Sequence, residues 1–258
     1  MAEIELLANL IVAAKKIVVF TGAGISTESG IPDFRSPGGI WDRFDPDDFT
    51  YQKFVNSLET RRKQWQLLSL GAVIANIEPN PAHYAIAELY RLGKLDCVIT
   101  QNIDNLHWKA GVPEDRIFEL HGNMQWARCL NCHQRFPMEE ILPRIKEGIE
   151  VPECPNCRGM LKPDAVFFGE QLPQGILIEA THRSQNCDLF IVVGSTLVVY
   201  PAAYMPVYAK EAGAKIAIVN LTPTDLDQYA TVVIHSKAGE TLQKIMQKVH
   251  GKLTQYRN

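Results

Sequence analysis

The stretch VVFTGAGISTESGIPDFR, residues 18–35, decides how the rest of the chain is read. A short β-branched run leads into Gly22 and Gly24, which reads as a phosphate-binding turn after a strand. A dinucleotide fingerprint would continue with glycine at position 27 and an unbroken helix. Here Thr27 stands at that position, and Gly30 and Pro32 stop any helix within two turns. The turn removes side chains from the approach to a diphosphate and offers backbone N–H groups. The GIPDFR that follows is expected as a loop over the site, carrying Asp33, Phe34 and Arg35. Such a loop can exclude water and hold a reacting group.

Outward from this turn, strand-like runs alternate with helical patterns. Strands are expected at 17–21, 97–100, 117–120, 189–194, 215–220 and 232–234, and helices at 4–14, 81–93, 201–212 and 239–250. This rhythm predicts an α/β fold, a doubly wound parallel Rossmann-like sheet. Two excursions interrupt it: a helical and loop module at about 36–75 and a small inserted zinc-ribbon module at about 126–161. The Rossmann-like part is then about 1–35, 76–125 and 162–258, all within a single catalytic domain. Polar residues collect where strands end: Gly22-Ala23-Gly24, Gln101-Asn102-Ile103-Asp104, His121, Gly194-Ser195-Thr196 and Asn220. Open α/β sheets bind ligands at that edge.

The second strong signal is CLNC, 21 intervening residues, then CPNC. Cys129, Cys132, Cys154 and Cys157 have the spacing of two thiolate knuckles around one Zn²⁺. Four sulfurs close the coordination, so the metal is expected to be structural. Cys97 and Cys187 read as small core residues. Of the seven histidines, His121 stands apart, because it follows a strand at the ligand edge with a tunable pKa. The 258 residues carry a net charge of −3, so no basic field exists to hold nucleic acid. No apolar run reaches the ~20 residues that cross a bilayer, and a cytoplasmic location without membrane contact is expected.

Taken in order, GAGIS, GIPDFR, TQNID, ELHG, the paired CxxC motifs, AVFFGE, GSTLVVYPAA and IVN resemble the sirtuin family, Sir2-type NAD-dependent protein deacylases, as a prokaryotic-like single-domain member. The motifs run from residue 22 to 220. The resemblance implies NAD as co-substrate, held by Gly22, Ala23, Gly24, Ile25, Asp33, Phe34, Arg35, Gln101, Asn102, Ile103, Asp104, Gly194, Ser195, Thr196, Asn220, Leu221 and Ala238. It implies catalytic work by His121, Asn102 and Asp104. The acetyl-lysine would enter past Phe34, Ile103, His121, Val166, Phe168 and Val199. Its peptide would lie as an added β-strand between Val166-Phe167-Phe168-Gly169-Glu170 and the 197–200 segment. The acetyl oxygen would attack the ribose, nicotinamide would leave, and His121 would take a proton from a ribose hydroxyl, yielding lysine and O-acetyl-ADP-ribose.

Relatives that prefer succinyl or malonyl groups use Tyr-x-x-Arg, which this chain lacks. The corresponding stretch, RRKQWQLLS, places Trp65 and Leu68 near the tunnel end, which predicts an apolar end suited to acetyl or longer uncharged acyl groups; Arg61 and Arg62 stand beside it. Three other readings compete: an NAD-dependent ADP-ribosyltransferase using the same site, a zinc-ribbon nucleic-acid-binding protein, and an ordinary dehydrogenase. The basic residues near the knuckles are interspersed with glutamates, which disfavours the second; Thr27 and Pro32 disfavour the third. A monomer or weak oligomer is expected.

Overall fold

Helix α1 (Ala2–Ala13) leads into strand β1 (Ile17–Thr21), whose five residues are all buried. Such a strand must be covered on both faces, and its side chains alternate accordingly. Ile17 and Val19 pack among Leu7, Ile86 and Ile245, while Val18 and Phe20 pack among Ala180, Phe190 and Met205. Each large apolar side chain so buried contributes about 1.5–3 kcal/mol. The computed structural model describes residues 1–34, 36–42, 44–69 and 77–255. Arg35, expected in the cofactor loop, lies outside the described residues.

After β1 come α2 (Tyr51–Asn56), α3 (Leu58–Ser69), α4 (Pro81–Arg91), β2 (Leu95–Thr100), α5 (Leu106–Lys109) and β3 (Ile117–Glu119). They are followed by β4 (Gly122–Cys129), β5 (Arg135–Pro137), α6 (Met138–Lys146), β6 (Leu161–Ala165) and α7 (Gln174–Gln185). The chain continues through β7 (Leu189–Val193), α8 (Met205–Glu211), β8 (Lys215–Asn220), β9 (Val232–His235) and α9 (Ala238–Gln255). Six strands form a parallel sheet in the order β3-β2-β1-β7-β8-β9. From β1 the chain winds outward one way through β2 and β3. From β7 it winds the other way through β8 and β9. The order therefore reverses between β1 and β7, which is where such sheets open a ligand crevice.

The expected doubly wound sheet is present, with differences at its margins. The expected helix at 201–212 is a short 3-10 turn, Ala202–Tyr204, followed by α8, and α9 runs to Gln255. The second sheet, β5-β4-β6, is antiparallel and carries the cysteines. It begins at Gly122, directly after His121, so the ribbon reaches further toward the sheet edge than residue 126. Helix α6 lies inside the ribbon, where no helix was expected. It forms because Met138, Ile141, Leu142 and Ile145 recur at helical spacing and pack against Trp65.

Candidate functional site

The turn after β1 is a run of 3-10 helix, Ala23–Ser29, ended by Gly30 at φ 91°. The helix stops where Gly30 and Pro32 required. The glycines have a further role that the sequence reading gave to phosphate alone. A Cβ on Gly22 or Gly24 would lie 2.8 Å from the Gly194 carbonyl oxygen, and one on Gly194 would lie 2.2 Å from the Ile25 nitrogen. The turns after β1 and β7 therefore meet backbone to backbone at the switch point. Gly22 N–H donates to Val193 O (3.2 Å) and Gly24 N–H to Gly194 O (2.9 Å). These amides are committed within the protein, with Gly22 buried and Gly24 half-buried, so the turn does not offer the free Gly22 and Gly24 donors expected from sequence. Gly194 also sits at φ 63°. Gly194→Ala should therefore cost at least about 2 kcal/mol, measured as a fall in urea midpoint at constant slope. An unchanged midpoint would refute the close-packing account.

Beneath this turn lies a buried polar network. Asn102 Nδ2 donates to Ser26 Oγ (3.1 Å), and Ser26 Oγ donates to Asp104 Oδ2 (2.7 Å). The other Asp104 oxygen accepts Leu106 N–H (3.0 Å). Asn102 N–H is held by Thr100 Oγ1 (3.0 Å), which also accepts from Thr21 Oγ1 (2.8 Å). Thr21 Oγ1 is 2.9 Å from His107 Nε2. With its own proton given to Thr100, Thr21 accepts, so His107 carries its proton on Nε2. Asn80 caps α4 through Ala82 N–H and donates to Ile25 O (2.7 Å) and Ser29 Oγ (3.0 Å). The sequence reading missed Ser26, Thr21, Thr100, Asn80 and His107. Only Asn80 gave a signal, an Asn-Pro pair opening a helix.

His83 and His107 pack with ring centroids 5.1 Å apart. Burial, reinforced by His107, holds His83 down at about 3, and burial alone holds His107 at about 4. Both rings are neutral in the native state. Below the ordinary histidine value of about 6.5 the unfolded chain takes up protons that the native chain refuses, so stability is full above that pH and is lost as pH falls. The expected loss is on the order of 1 kcal/mol per ring for each pH unit below about 6. The drop in urea midpoint between pH 7.5 and 5.5 should shrink in His83→Asn; an equal drop in that variant would remove the explanation.

His121 follows β3, and its Nδ1 lies 3.0 Å from the Gln101 carbonyl oxygen. A carbonyl only accepts, so Nδ1 carries the hydrogen and Nε2 keeps a free lone pair. Burial lowers the His121 pKa, and the Gln101 carbonyl partly opposes this. The next residue, Gly122, is at φ 74°, and a Cβ there would lie 2.0 Å from the Asp164 carbonyl oxygen. Val166 N–H donates to His121 O (2.8 Å). The histidine is thus gripped by the sheet edge on one side and by the ribbon on the other. Gln101 Nε2 also reaches Ser195 Oγ (2.9 Å), joining the polar ends of β2 and β7 across the switch point.

In the loop after Gly30, Asp33 accepts Ser36 N–H (2.7 Å) and Ser36 Oγ–H (2.6 Å). Phe34 lies tilted against Trp41 at 5.2 Å, and Trp41 also meets Phe49 (5.5 Å) and Phe168 (5.8 Å). Trp41, unmarked in the sequence reading, links the loop to the expected substrate segment. Phe168 already has a neighbour on one edge: its N–H donates to Phe49 O (3.0 Å), and its carbonyl accepts Tyr51 N–H (2.9 Å). A peptide strand would have to add on the opposite edge, toward Val199.

Farther along the sheet, Asn220 Nδ2 donates to Thr222 O (2.8 Å), with Thr196 and Leu221 exposed and Ala238 buried. Glu28 accepts Gly239 N–H (2.6 Å) at the start of α9.

The tunnel end expected at Trp65 and Leu68 is not there. Both point into the ribbon's core with Phe136, Met138 and Leu161. Arg61 donates to the carbonyls of Phe54 and Val55 (both 2.8 Å), and Arg62 pairs with Glu150 (2.7 Å). The apolar cluster that includes Ile103 is instead built from Phe54, Ala165 and Phe167, with Met124 and Met160 against it. Helical periodicity alone could not say which neighbour α3 would face.

In the ribbon, the Sγ atoms of Cys129, Cys132, Cys154 and Cys157 all lie within 4.8 Å of one another. Cys129 and Cys157 approach to 3.5 Å, and Cys132 and Cys154 to 3.7 Å. Sulfurs around tetrahedral zinc at ~2.3 Å are about 3.8 Å apart. Each knuckle is followed by a residue in the left-handed region, His133 at φ 62° and Arg158 at φ 56°. Asn131 and Cys132 N–H groups both point at Cys129 Sγ (3.4 Å). The donor set fits one structural zinc with no open position.

A doubly wound sheet with a glycine turn at its switch point, a buried amide–hydroxyl–carboxylate network beneath it and a fixed histidine after β3 defines a nucleotide-dependent enzyme with a zinc-ribbon insertion. The Sir2 family profile matches residues 22–201. The chain belongs to the Sir2 family. It is 47% identical over 248 residues to NAD-dependent protein deacylase 2 of Archaeoglobus fulgidus, covering 96% of each chain. It is 44% identical over 252 residues to NAD-dependent protein deacetylase 1 of Pyrobaculum aerophilum, covering 97% of this chain and 96% of that one. A solved structure of a Sir2 mutant with deacetylated p53 peptide and 3′-O-acetyl ADP ribose superposes with a TM-score of 0.86 at 37% identity, covering 95% of this chain and 98% of the other. Among the described residues no helix is long and apolar enough to cross a membrane.

Proposed function

We infer that this chain is an NAD-dependent protein lysine deacetylase that transfers the acetyl group to ADP-ribose and releases nicotinamide. The observation that carries the reading is His121. Its Nδ1 is pinned by Gln101 O, leaving Nε2 as a base beside the buried Asn102–Ser26–Asp104 network. NAD, when bound, supplies the ADP-ribose acceptor and nicotinamide as leaving group. The Gly22-Ala23-Gly24 turn, half-buried at Ala23 and Gly24, together with Ser195 and Asn220, would hold it. Asn102 and Asp104 would orient the nicotinamide end, and Phe34 would close the lid over it. His121 Nε2 would then take the proton, its pKa lowered by burial so that the base form dominates at neutral pH.

The acetyl-lysine peptide would lie along Val166–Glu170 on the side away from Phe49 and Tyr51, facing Val199. Phe54, Phe167 and Ile103 would form an apolar floor suited to uncharged acyl groups. A relative solved with a myristoylated histone peptide, at 41% identity and a TM-score of 0.78, accommodates such a chain. Thiolate zinc ligands suit a reducing compartment, which supports a cytoplasmic site. Incubation with NAD and peptides carrying acetyl, myristoyl or succinyl lysine should release nicotinamide with the first two. No release with any peptide, in zinc-loaded protein, would overturn the assignment.

A further inference from the structure

Lys162 is an ammonium inside the protein, with its side chain 3% exposed. Its Nζ reaches the carbonyl oxygens of Pro163 (3.0 Å) and Ala165 (2.5 Å) and the Glu170 carboxylate (3.1 Å). It also lies 4.2 Å from the Phe167 ring centroid. Three donors therefore meet three acceptors, and an aromatic face covers the charge. The same carboxylate oxygen accepts Phe167 N–H (2.9 Å), while Glu170 N–H donates back to Phe167 O (3.0 Å). With Gly169 at φ 78°, residues 167–170 form a closed turn locked from inside by the lysine.

Burying an ion is costly, and a well-packed apolar pair in its place is often as stable. The pair therefore does something that apolar packing would not: it fixes the direction of specific backbone groups. The N–H of Phe167 is turned inward to Glu170. Both polar backbone groups of Phe168 face Phe49 and Tyr51. What is left to face the cleft is decided by this turn.

We propose that Lys162 and Glu170 are positioning residues that hold the Val166–Glu170 segment in the one geometry that admits an acyl-lysine peptide. The proposal rests on the reading of that segment as the peptide's edge. Neither residue is catalytic; both act through the backbone between them. The ligand they serve is an extended peptide, and the nucleotide half of the site, built on β1, β7 and β8, does not depend on them.

The test compares wild type, Lys162→Met, and the double variant Lys162→Met/Glu170→Met, with steady-state constants for acetyl-peptide and NAD and thermal unfolding for each. Lys162→Met should raise the peptide KM about tenfold or more, equivalent to ~1.4 kcal/mol, with kcat and the NAD KM within about twofold. It should also lower Tm, because Glu170 keeps an unpaired charge. The double variant removes that charge and should recover Tm while keeping the weak peptide KM. Should Lys162→Met fail to fold, the double variant carries the comparison. A double variant with wild-type peptide KM overturns the proposal, as does a parallel rise in both KM values. Peptide affinity is also measured directly by fluorescence anisotropy. A wild type that binds peptide without turnover would sink the deacetylase reading, while the binding comparison still decides the role of Lys162.

Discussion

His121→Ala should lower turnover of acetyl-peptide by roughly 10²–10⁴-fold, the usual contribution of a positioned general base. Cofactor affinity should stay within a few-fold. The side chain's polar contact is to the Gln101 carbonyl, so its removal leaves the Asn102–Ser26–Asp104 network and the glycine turn as they were. The pH profile gives a second readout. The competent form is the neutral ring, and burial lowers its pKa. The acid limb of kcat/KM should therefore lie below the ordinary histidine range of about 6.5. Activity should be full above that limb and fall as pH drops through it. In His121→Ala the limb should vanish from whatever activity remains. A variant that keeps a tenth of wild-type turnover, or one that loses cofactor binding in parallel, would remove His121 from this role.

The second large effect is expected from zinc, although no zinc position is open for chemistry. Strands β4 and β6 hold the turn at His121 directly. Gly122 packs against the Asp164 carbonyl, and Val166 N–H bonds His121 O. Asp164 is itself fixed by Arg128 and Arg135, both at 2.7 Å. The ribbon's apolar core is small, built around Trp65, Phe136, Ile141 and Leu161. A module of that size depends on its metal, whose apparent binding energy in isolated zinc peptides is about 10–16 kcal/mol. Stripping zinc, or Cys129→Ser, should open the segment between Cys129 and Cys157 to proteolysis and lower turnover at least ~10²-fold, since a displacement near 1 Å suffices for that. The six-stranded sheet has its own two-sided core, so most of the far-UV circular dichroism should remain. Restored zinc should restore activity in the stripped wild type. Full activity in metal-free protein would show that the ribbon and the histidine are uncoupled.

Much of this was legible without coordinates. β1 could be read because a run of five apolar or β-branched residues bounded by glycine has few alternatives, and the cysteine knuckles because four thiolates at that spacing serve few purposes. His121 was legible as a polar residue at the end of a strand. Ser26 was not, although it bridges Asn102 and Asp104, because a serine in a glycine turn carries no sign of what it faces. Trp41 was missed because Phe168, which it meets, lies far along the chain, and Lys162 because nothing in its local pattern shows that its side chain turns inward onto Ala165 and Glu170. Trp65 was misplaced because the pattern of α3 shows that it has a buried side but not which partner covers it.

The sequence by itself determined the alternation of strands and helices, the interruption of the helix after Gly24, and the thiolate set for the metal. These follow from local rules: side-chain periodicity, the backbone limits of glycine and proline, and ligand chemistry. Only the tertiary structure decided that the glycines at 22, 24 and 194 serve one another, that His121 is held between two sheets, and that Lys162 turns inward onto Glu170. Those facts depend on distances between segments that touch only after folding, and no local rule fixes which surfaces meet.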